Sequence, residues 1–396
     1  MAENGRIRAY DLARSLALLG MMAINSWVFM ETAEKCPKWL EAILCCIEGK
    51  AAATFVTLAG VGFSLLSRRA YLSRDRGTMH ENRRALLIRA VLLLLMGILI
   101  SPVWPGDILH FYAAYMAIGC CLLFLSTRTL FRLALLPTLI FALIMYALDF
   151  DRGWDWNKLP VTEIWNLPGV MRHLLFAGLY PVLPWLSFVL MGMCIGRQDL
   201  SDRSMRKRLM LMGACALAFA EGLSQAGFRL SVLFRHAMDR DSLLPWLAIE
   251  AWDPMPMFML SAGGTALLII MLCAALTENR PVTKWLSPLV AVGRCTLTLY
   301  VAHSLFGGLF LKCIRLMKWD TSLFPLWGTI FFYSAAIVFC HLWSRHHPRG
   351  PLEWLTRWFA SLPWAGWRGS RPWAVFGRKI PVGILSAGNR RALRIA

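Results

Sequence analysis

A chain of 396 residues that is 58% apolar and only 16% charged, with a mean hydropathy of +0.53, lies outside the range of water-soluble globular domains. Its formal charge of +19 would suggest nucleic acid in a soluble protein. Here the basic residues gather between apolar runs and in the tail, where they orient a chain in a bilayer and meet anionic lipid headgroups, so a nucleic-acid partner is not expected.

Apolar runs of about 20 residues, each long enough to cross a hydrocarbon core of roughly 30 Å, recur along the whole chain. They predict an all-α fold, a polytopic integral membrane helical bundle of about ten transmembrane helices. The spans fall at 12–30, 51–67, 86–104, 108–126, 131–149, 180–196, 209–226, 256–276, 289–311 and 323–343. The first is read as uncleaved, because no small-residue cleavage pattern follows it. Lys and Arg number 28 in the loops and termini on the starting side and 12 on the other. This asymmetry predicts that both termini are cytoplasmic, and the localisation expected is a bacterial inner membrane. The division expected is a transmembrane domain at 1–343 and a basic, Trp-rich cytoplasmic tail at 344–396. The Trp-rich segments 149–173 and 228–254 suit an outer headgroup layer. The eleven cysteines show no CxxC pair and read as small buried hydrophobes, so no metal site is expected. Paired broken helices of the kind built by inverted repeats are not visible.

In chain order, the first span opens with Asp11 and Arg14, spaced for an ion pair. Asn25 lies eleven residues beyond Arg14, within about 20° of its direction and roughly 16 Å further along the axis. Arg14 and Asn25 therefore predict a polar seam along one face, although Asp11 and Arg14 also suit a snorkelling anchor and Asn25 interhelical glue. Gly60 and Gly62 in the second span read as close helix packing. Asp107 opens the fourth span, either as a helix cap or as partner to His110 one turn inward, whose imidazole exchanges protons near neutrality. In the ninth span Thr296, Tyr300 and His303 form a polar stripe. Arg294 is about 180° away from His303 and reads as a contact for phosphate or an acidic partner. "RGPLEWLTR" reads as a helix start, with Pro351 at its first position and Glu353 in its first turn. GxGxxG, Walker A, HExxH and GxSxG motifs are absent, and these residues alone name no reaction.

The segments "YDLARSLALLGMMAIN" (10–25), "GKAAATFVTLAGVGFSLL" (49–66), "GDILHFYA" (106–113), "YPVLPWLSFVLMGMCIGR" (180–197), "VGRCTLTLYVAHS" (292–304) and "RGPLEWLTR" (349–357) together resemble a group of membrane acyltransferases. That group contains heparan-alpha-glucosaminide N-acetyltransferase and, within it, the bacterial YeiB-like proteins. The resemblance implies an acyl-CoA donor, acetyl-CoA in the simplest case, entering from the cytoplasm. Its acyl group passes to an amine or hydroxyl of a sugar or small acceptor on the extracytoplasmic side. Arg14 and Arg294, with Asp11 beside them, would meet the CoA phosphates. Asn25 would bind the thioester carbonyl, and His110, His303 and Asp107 would handle the nucleophile's proton. Membrane lipid is a further expected partner, and a homodimer stays open. Two positions depart from the family pattern: Ser15 stands where glycine is usual, and Cys36 stands at the place of the heparan enzyme's catalytic histidine. Either another histidine does the work or this branch has different chemistry, of which Cys36 as an acyl carrier is one form. The alternative reading is a transporter or export factor for a small hydrophobic or anionic molecule.

Overall fold

The computed structural model describes residues 2–30, 36–147, 167–233, 246–278, 286–307, 309–310 and 323–362. These are almost entirely helical, with no strand among them. The tail beyond 362 and most of both Trp-rich segments lie outside the described residues. The chain divides into two compact units, 1–360 and 361–396, and the helices below belong to the first.

The helices are α1 (Ala2–Met30), α2 (Lys38–Ile47), α3 (Lys50–Ser73), α4 (Arg76–Ile100), α5 (Leu109–Leu122), α6 (Thr127–Ala147), α7 (Leu167–Arg172), α8 (Val182–Arg197) and α9 (Arg203–Leu233). They continue as α10 (Pro256–Leu276), α11 (Leu286–Arg294), α12 (Thr296–Ala302), α13 (Phe324–Trp343) and α14 (Pro351–Ser361). Five stretches among the described residues are long and apolar enough to cross a membrane, or up to seven if each of two bent pairs is one span. α4, α6, α9 and α13 expose Leu95, Leu99, Leu143, Leu211, Phe219 and Phe331. Such an outward apolar surface would be a liability in water and fits a lipid solvent.

Small residues set the closest contacts. Gly60 of α3 faces the Val189 carbonyl of α8, and Gly192 of α8 faces the Thr57 carbonyl of α3, so neither position has room for a Cβ and the two backbones approach directly. Gly213 and Gly264 do the same for α9 and α10. Gly62 behaves differently from the packing expected of it: a Cβ there would touch only a guanidinium nitrogen of Arg14, at 3.7 Å. Lys50 is held by Glu221 at 2.6 Å, and Ser261 donates to the same carboxylate oxygen at 2.8 Å. This ties α3, α9 and α10 together at one end.

Two findings correct the sequence reading. Broken helices are present: α7 and α8 meet at 51°, and α11 and α12 at 76°. Each pair contains a π-helical turn that begins at a histidine, His173–Ala177 after α7 and His303–Gly307 after α12. The break at Cys295 also removes the angular relation drawn between Arg294 and His303, which assumed one continuous helix. The polar seam along α1 is interrupted as well. Leu18 and Met21, on the face between Arg14 and Asn25, are buried in the main apolar cluster, so the two polar ends are separated by an apolar plug.

Candidate functional site

The Asn25 end of the bundle holds a recess of about 500 Å³, its open mouth included, lined by Asn25, Glu48, Trp104, Gly106, Tyr180 and Trp252 among others. Glu48 is placed by the tight junction of α2 and α3. Gly49 there has φ +64 and lies against Phe258, a conformation and a clearance that only glycine meets. The Trp252 indole donates to Glu48 at 2.9 Å. Asn25 is 6% exposed and makes no hydrogen bond to another described residue, so its amide is available to whatever enters the recess.

Beside the recess, one residue beyond Gly106, Asp107 is fully buried and fully engaged. One carboxylate oxygen accepts from the Leu109 amide at 2.9 Å, the His110 amide at 3.3 Å and His110 Nδ1 at 3.2 Å. The other accepts from the Tyr300 hydroxyl at 3.2 Å, and that hydroxyl accepts from the Ile108 amide at 3.1 Å. Asp107 is thus both the cap of α5 and the anchor of His110. Gly97 of α4 makes the arrangement sterically feasible, since a Cβ there would strike Asp107 and His110.

His110 Nε2 lies 3.3 Å from His173 Nε2, with the rings nearly parallel. These contacts select the tautomers. With Nδ1–H of His110 directed at Asp107, its Nε2 is an acceptor and His173 donates to it. His173 Nδ1 is then a bare base, and this atom is buried without a hydrogen-bond partner among the described residues. Asp107 and His110 pair as the sequence suggests, and His173 extends the pair into a hydrogen-bonded line that it did not reveal. His173 had been read as the last residue of a Trp-rich loop, and its only local signal is the histidine itself. His303 is buried and meets Phe332 edge to face. Cys36 opens on a separate recess lined by Ala23, Trp27, Leu40, Leu44, Leu326 and Thr329.

The Arg14 end is a cluster of cations. Arg14 and Arg294 share Asp11, at 2.9 and 3.4 Å, as the spacing of Asp11 and Arg14 suggested. Arg89 and Arg357 lie within electrostatic reach of each other, of Arg349, of Arg14 and of Glu353. Glu353 is itself occupied, accepting from the Leu297 amide at 2.6 Å and the Thr298 hydroxyl at 2.7 Å. Five guanidinium groups therefore face two carboxylates. Burial and the neighbouring arginines push Arg357 down to about 9, and burial lowers Arg349. A guanidinium keeps its proton at neutral pH, so the shift registers chiefly how little water reaches these cations, with their mutual repulsion second. Ser15 crosslinks α1 to α13 here: its hydroxyl donates to Tyr333 at 2.7 Å, and the Tyr333 hydroxyl donates to the Ser15 carbonyl at 3.0 Å.

A bundle of apolar helices that carries a buried carboxylate–imidazole line and, apart from it, a cluster of arginines defines an integral membrane protein. A family model described as heparan-alpha-glucosaminide N-acetyltransferase, catalytic, matches residues 6–227, more than half of the chain, and the protein belongs to this family. The matched region contains Asp11, Arg14, Asn25, Asp107, His110 and His173. A second model, described as a protein of unknown function (DUF418), matches residues 205–363, which hold Arg294, Tyr300, His303 and Glu353. The chain is also 24% identical over 377 residues to an uncharacterized 39.9 kDa protein in the amylase 3′ region of Bacillus acidopullulyticus, covering 90% of this chain and 94% of that one.

Proposed function

We propose that this protein is a membrane-embedded acyltransferase that takes an acyl group from an acyl-CoA and passes it to an amine or hydroxyl of a sugar or small acceptor. In this reading the chain crosses the bacterial inner membrane about ten times with both termini cytoplasmic, a topology supported by the excess of Lys and Arg on one side. The arginine cluster is then cytoplasmic and binds the phosphates of the donor, for which forked guanidinium donors are well matched. The recess at Asn25 faces outward and receives the acceptor. His173 Nδ1 takes the acceptor's proton as its nitrogen or oxygen attacks the thioester carbonyl. His110 and Asp107 hold the tautomer and spread the charge, and the CoA sulfur leaves. Asn25 donates to the carbonyl oxygen as negative charge gathers on it. Leu18 and Met21 must part for the thioester to cross from one end to the other.

The observation that carries this reading is the hydrogen-bonded line Asp107, His110, His173 beside a recess in which Asn25 has no hydrogen-bond partner among the described residues. The test is release of CoA thiol by the purified full-length protein, given acetyl-CoA and a panel of amino sugars, sugars and amines. Turnover that depends on the acceptor is expected. A folded protein inert toward several acyl donors and all acceptors would overturn the proposal.

The two bent helix pairs favour a second reading, a transporter, because discontinuous helices meeting at the centre of a bundle are how many carriers bind their cargo. It predicts uptake of a small anion into proteoliposomes without thioester consumption.

A further inference from the structure

The glutamate of "RGPLEW" sits far from the acid–base line in sequence and at the opposite end of the bundle, yet the contacts join the two. α12 begins after the break at Cys295, which provides no side-chain cap. The missing cap comes from α14 instead. Glu353 accepts from the Leu297 amide at 2.6 Å, the Thr298 amide at 3.3 Å and the Thr298 hydroxyl at 2.7 Å, while the Leu352 amide donates to the Thr298 hydroxyl at 3.0 Å. Gly350 lets α14 dock this closely, since a Cβ there would lie 2.9 Å from both Cys295 Cα and Thr298 Oγ1.

One turn further along α12 is Tyr300, whose hydroxyl donates to Asp107 and accepts from Ile108. A displacement of the first turn of this short helix is therefore a displacement of Tyr300 against the carboxylate that orients His110. Glu353 also lies in the field of Arg89 and Arg357. Phosphate groups entering the arginine cluster would compete with Glu353 for those guanidinium groups. They act more strongly on one position of the carboxylate than on another, which is the differential interaction a ligand needs in order to shift a conformation.

We propose that Glu353 is a positioning residue that couples anion binding at the arginine cluster to the geometry of the Tyr300–Asp107–His110 line. The proposal rests on the acyl-CoA reading for the identity of the anion, and on the hydrogen bonds alone for the coupling. Glu353→Gln keeps the volume and one carbonyl acceptor for the amides of α12 but removes the charge that competes with phosphate. Burial holds the Glu353 carboxyl above its usual range. Such a group favours the fold most when protonated: that contribution is present below the unfolded pKa and is lost as pH rises through the folded one. A neutral amide is accordingly expected to leave thermal stability at neutral pH intact.

Two measurements on the full-length protein test the coupling. In the first, coenzyme A is titrated and acyl transfer is followed. Glu353→Gln should bind coenzyme A about fivefold more tightly while kcat falls about tenfold, a split in opposite directions that simple loosening of the structure does not produce. Unchanged kcat, or a weaker donor affinity alongside a lower kcat, would overturn the coupling. In the second, amide hydrogen exchange is followed across 296–303 with coenzyme A and, separately, with inorganic pyrophosphate. The wild type should change its exchange in this segment on adding either anion, and Glu353→Gln should not. Identical responses in the two proteins, or none in the wild type, overturn it. A wild type that shows the exchange response but transfers no acyl group supports the coupling and sinks the acyltransfer reading instead.

Discussion

The two polar ends of the bundle are built on opposite principles. Around Asp107 every acceptor is used: two amides, an imidazole and a phenol converge on one buried carboxylate. Around Arg14, cations outnumber carboxylates among the described residues, with five arginines gathered near Asp11 and Glu353. A buried network with all its partners present resists rearrangement, because opening it leaves unpaired groups in a low dielectric. An excess of one charge is unfavourable until a counter-charge arrives. The first kind of site holds His110 in one tautomer, and in the acyltransferase reading the second binds the donor's phosphates. Substitutions that treat the two ends alike should therefore give different results.

The largest effect is expected at Asp107. Asp107→Ala strands the Leu109 and His110 amides and the Tyr300 hydroxyl, each unpaired buried group costing about 1–3 kcal/mol, so both melting temperature and activity should fall. Asp107→Asn fills the volume but offers His110 a different partner. By the logic of a misdirected tautomer, acyl transfer should drop about 10⁴-fold with the melting temperature nearly preserved. If Asp107→Asn keeps its rate, Asp107 is a cap and nothing more. Next comes Asn25→Ala, where loss of one donor to a developing oxyanion is expected to reduce kcat about 10²- to 10³-fold with little change in stability, since Asn25 has no described partner to abandon. A parallel loss of fold, seen in a thermal melt, would make Asn25 interhelical glue.

These first two positions were legible in the sequence, and the reason is physical: an Asp, His or Asn inside an apolar run is costly, so it is conspicuous. Asp11, Arg14, Asp107 and His110 stood out in this way, and Asp11 with Arg14 paired as the helical spacing required. His173, Glu48 and Glu353 did not stand out, because they lie in segments that read as loop, boundary or helix start, where polar residues are ordinary. The apolar plug of Leu18 and Met21 was equally invisible, since periodicity shows which residues share a face but not what a neighbouring helix inserts against it. The break at Cys295 was hidden by composition, since 289–311 is apolar enough to pass as a single span, whereas the break at 178–181 lies at the start of the span placed at 180–196, and the helix before it begins in a segment that read as loop. The membrane-helical class follows from hydropathy alone, because the bilayer imposes helices on any chain of this composition.

A smaller effect is expected at the arginine end. Arg357→Gln removes one of several cations that share the same anion, so the KM for acyl-CoA should rise about tenfold with kcat held. The change should be largest at low salt and shrink as ionic strength rises. Melting temperature should hold or increase, because the substitution removes a charge that burial first, and the neighbouring arginines second, hold below its usual range. A melting temperature that falls by several degrees would show that the cluster is already balanced by carboxylates and is structural, like the network around Asp107.

The smallest effect sharpens the contrast within a single helix. Gly60 and Gly62 stand two residues apart on α3 and read alike in the sequence, yet a Cβ at Gly60 meets the α8 backbone while one at Gly62 meets only the mobile end of Arg14, at an ordinary contact distance of 3.7 Å. Gly60→Ala has no flexible side chain to push aside and should be overpacked by about 1–3 kcal/mol, visible as a lower melting temperature. Gly62→Ala should be near neutral in stability, helped slightly by the greater helix propensity of alanine, and should alter donor affinity by less than about twofold, the cost of a small shift in Arg14. If Gly62→Ala instead destabilises the protein as much as Gly60→Ala, there is no spare room around Arg14. The Arg14 end would then be as closed as the Asp107 network, and an entering phosphate would have to displace protein to reach the guanidinium.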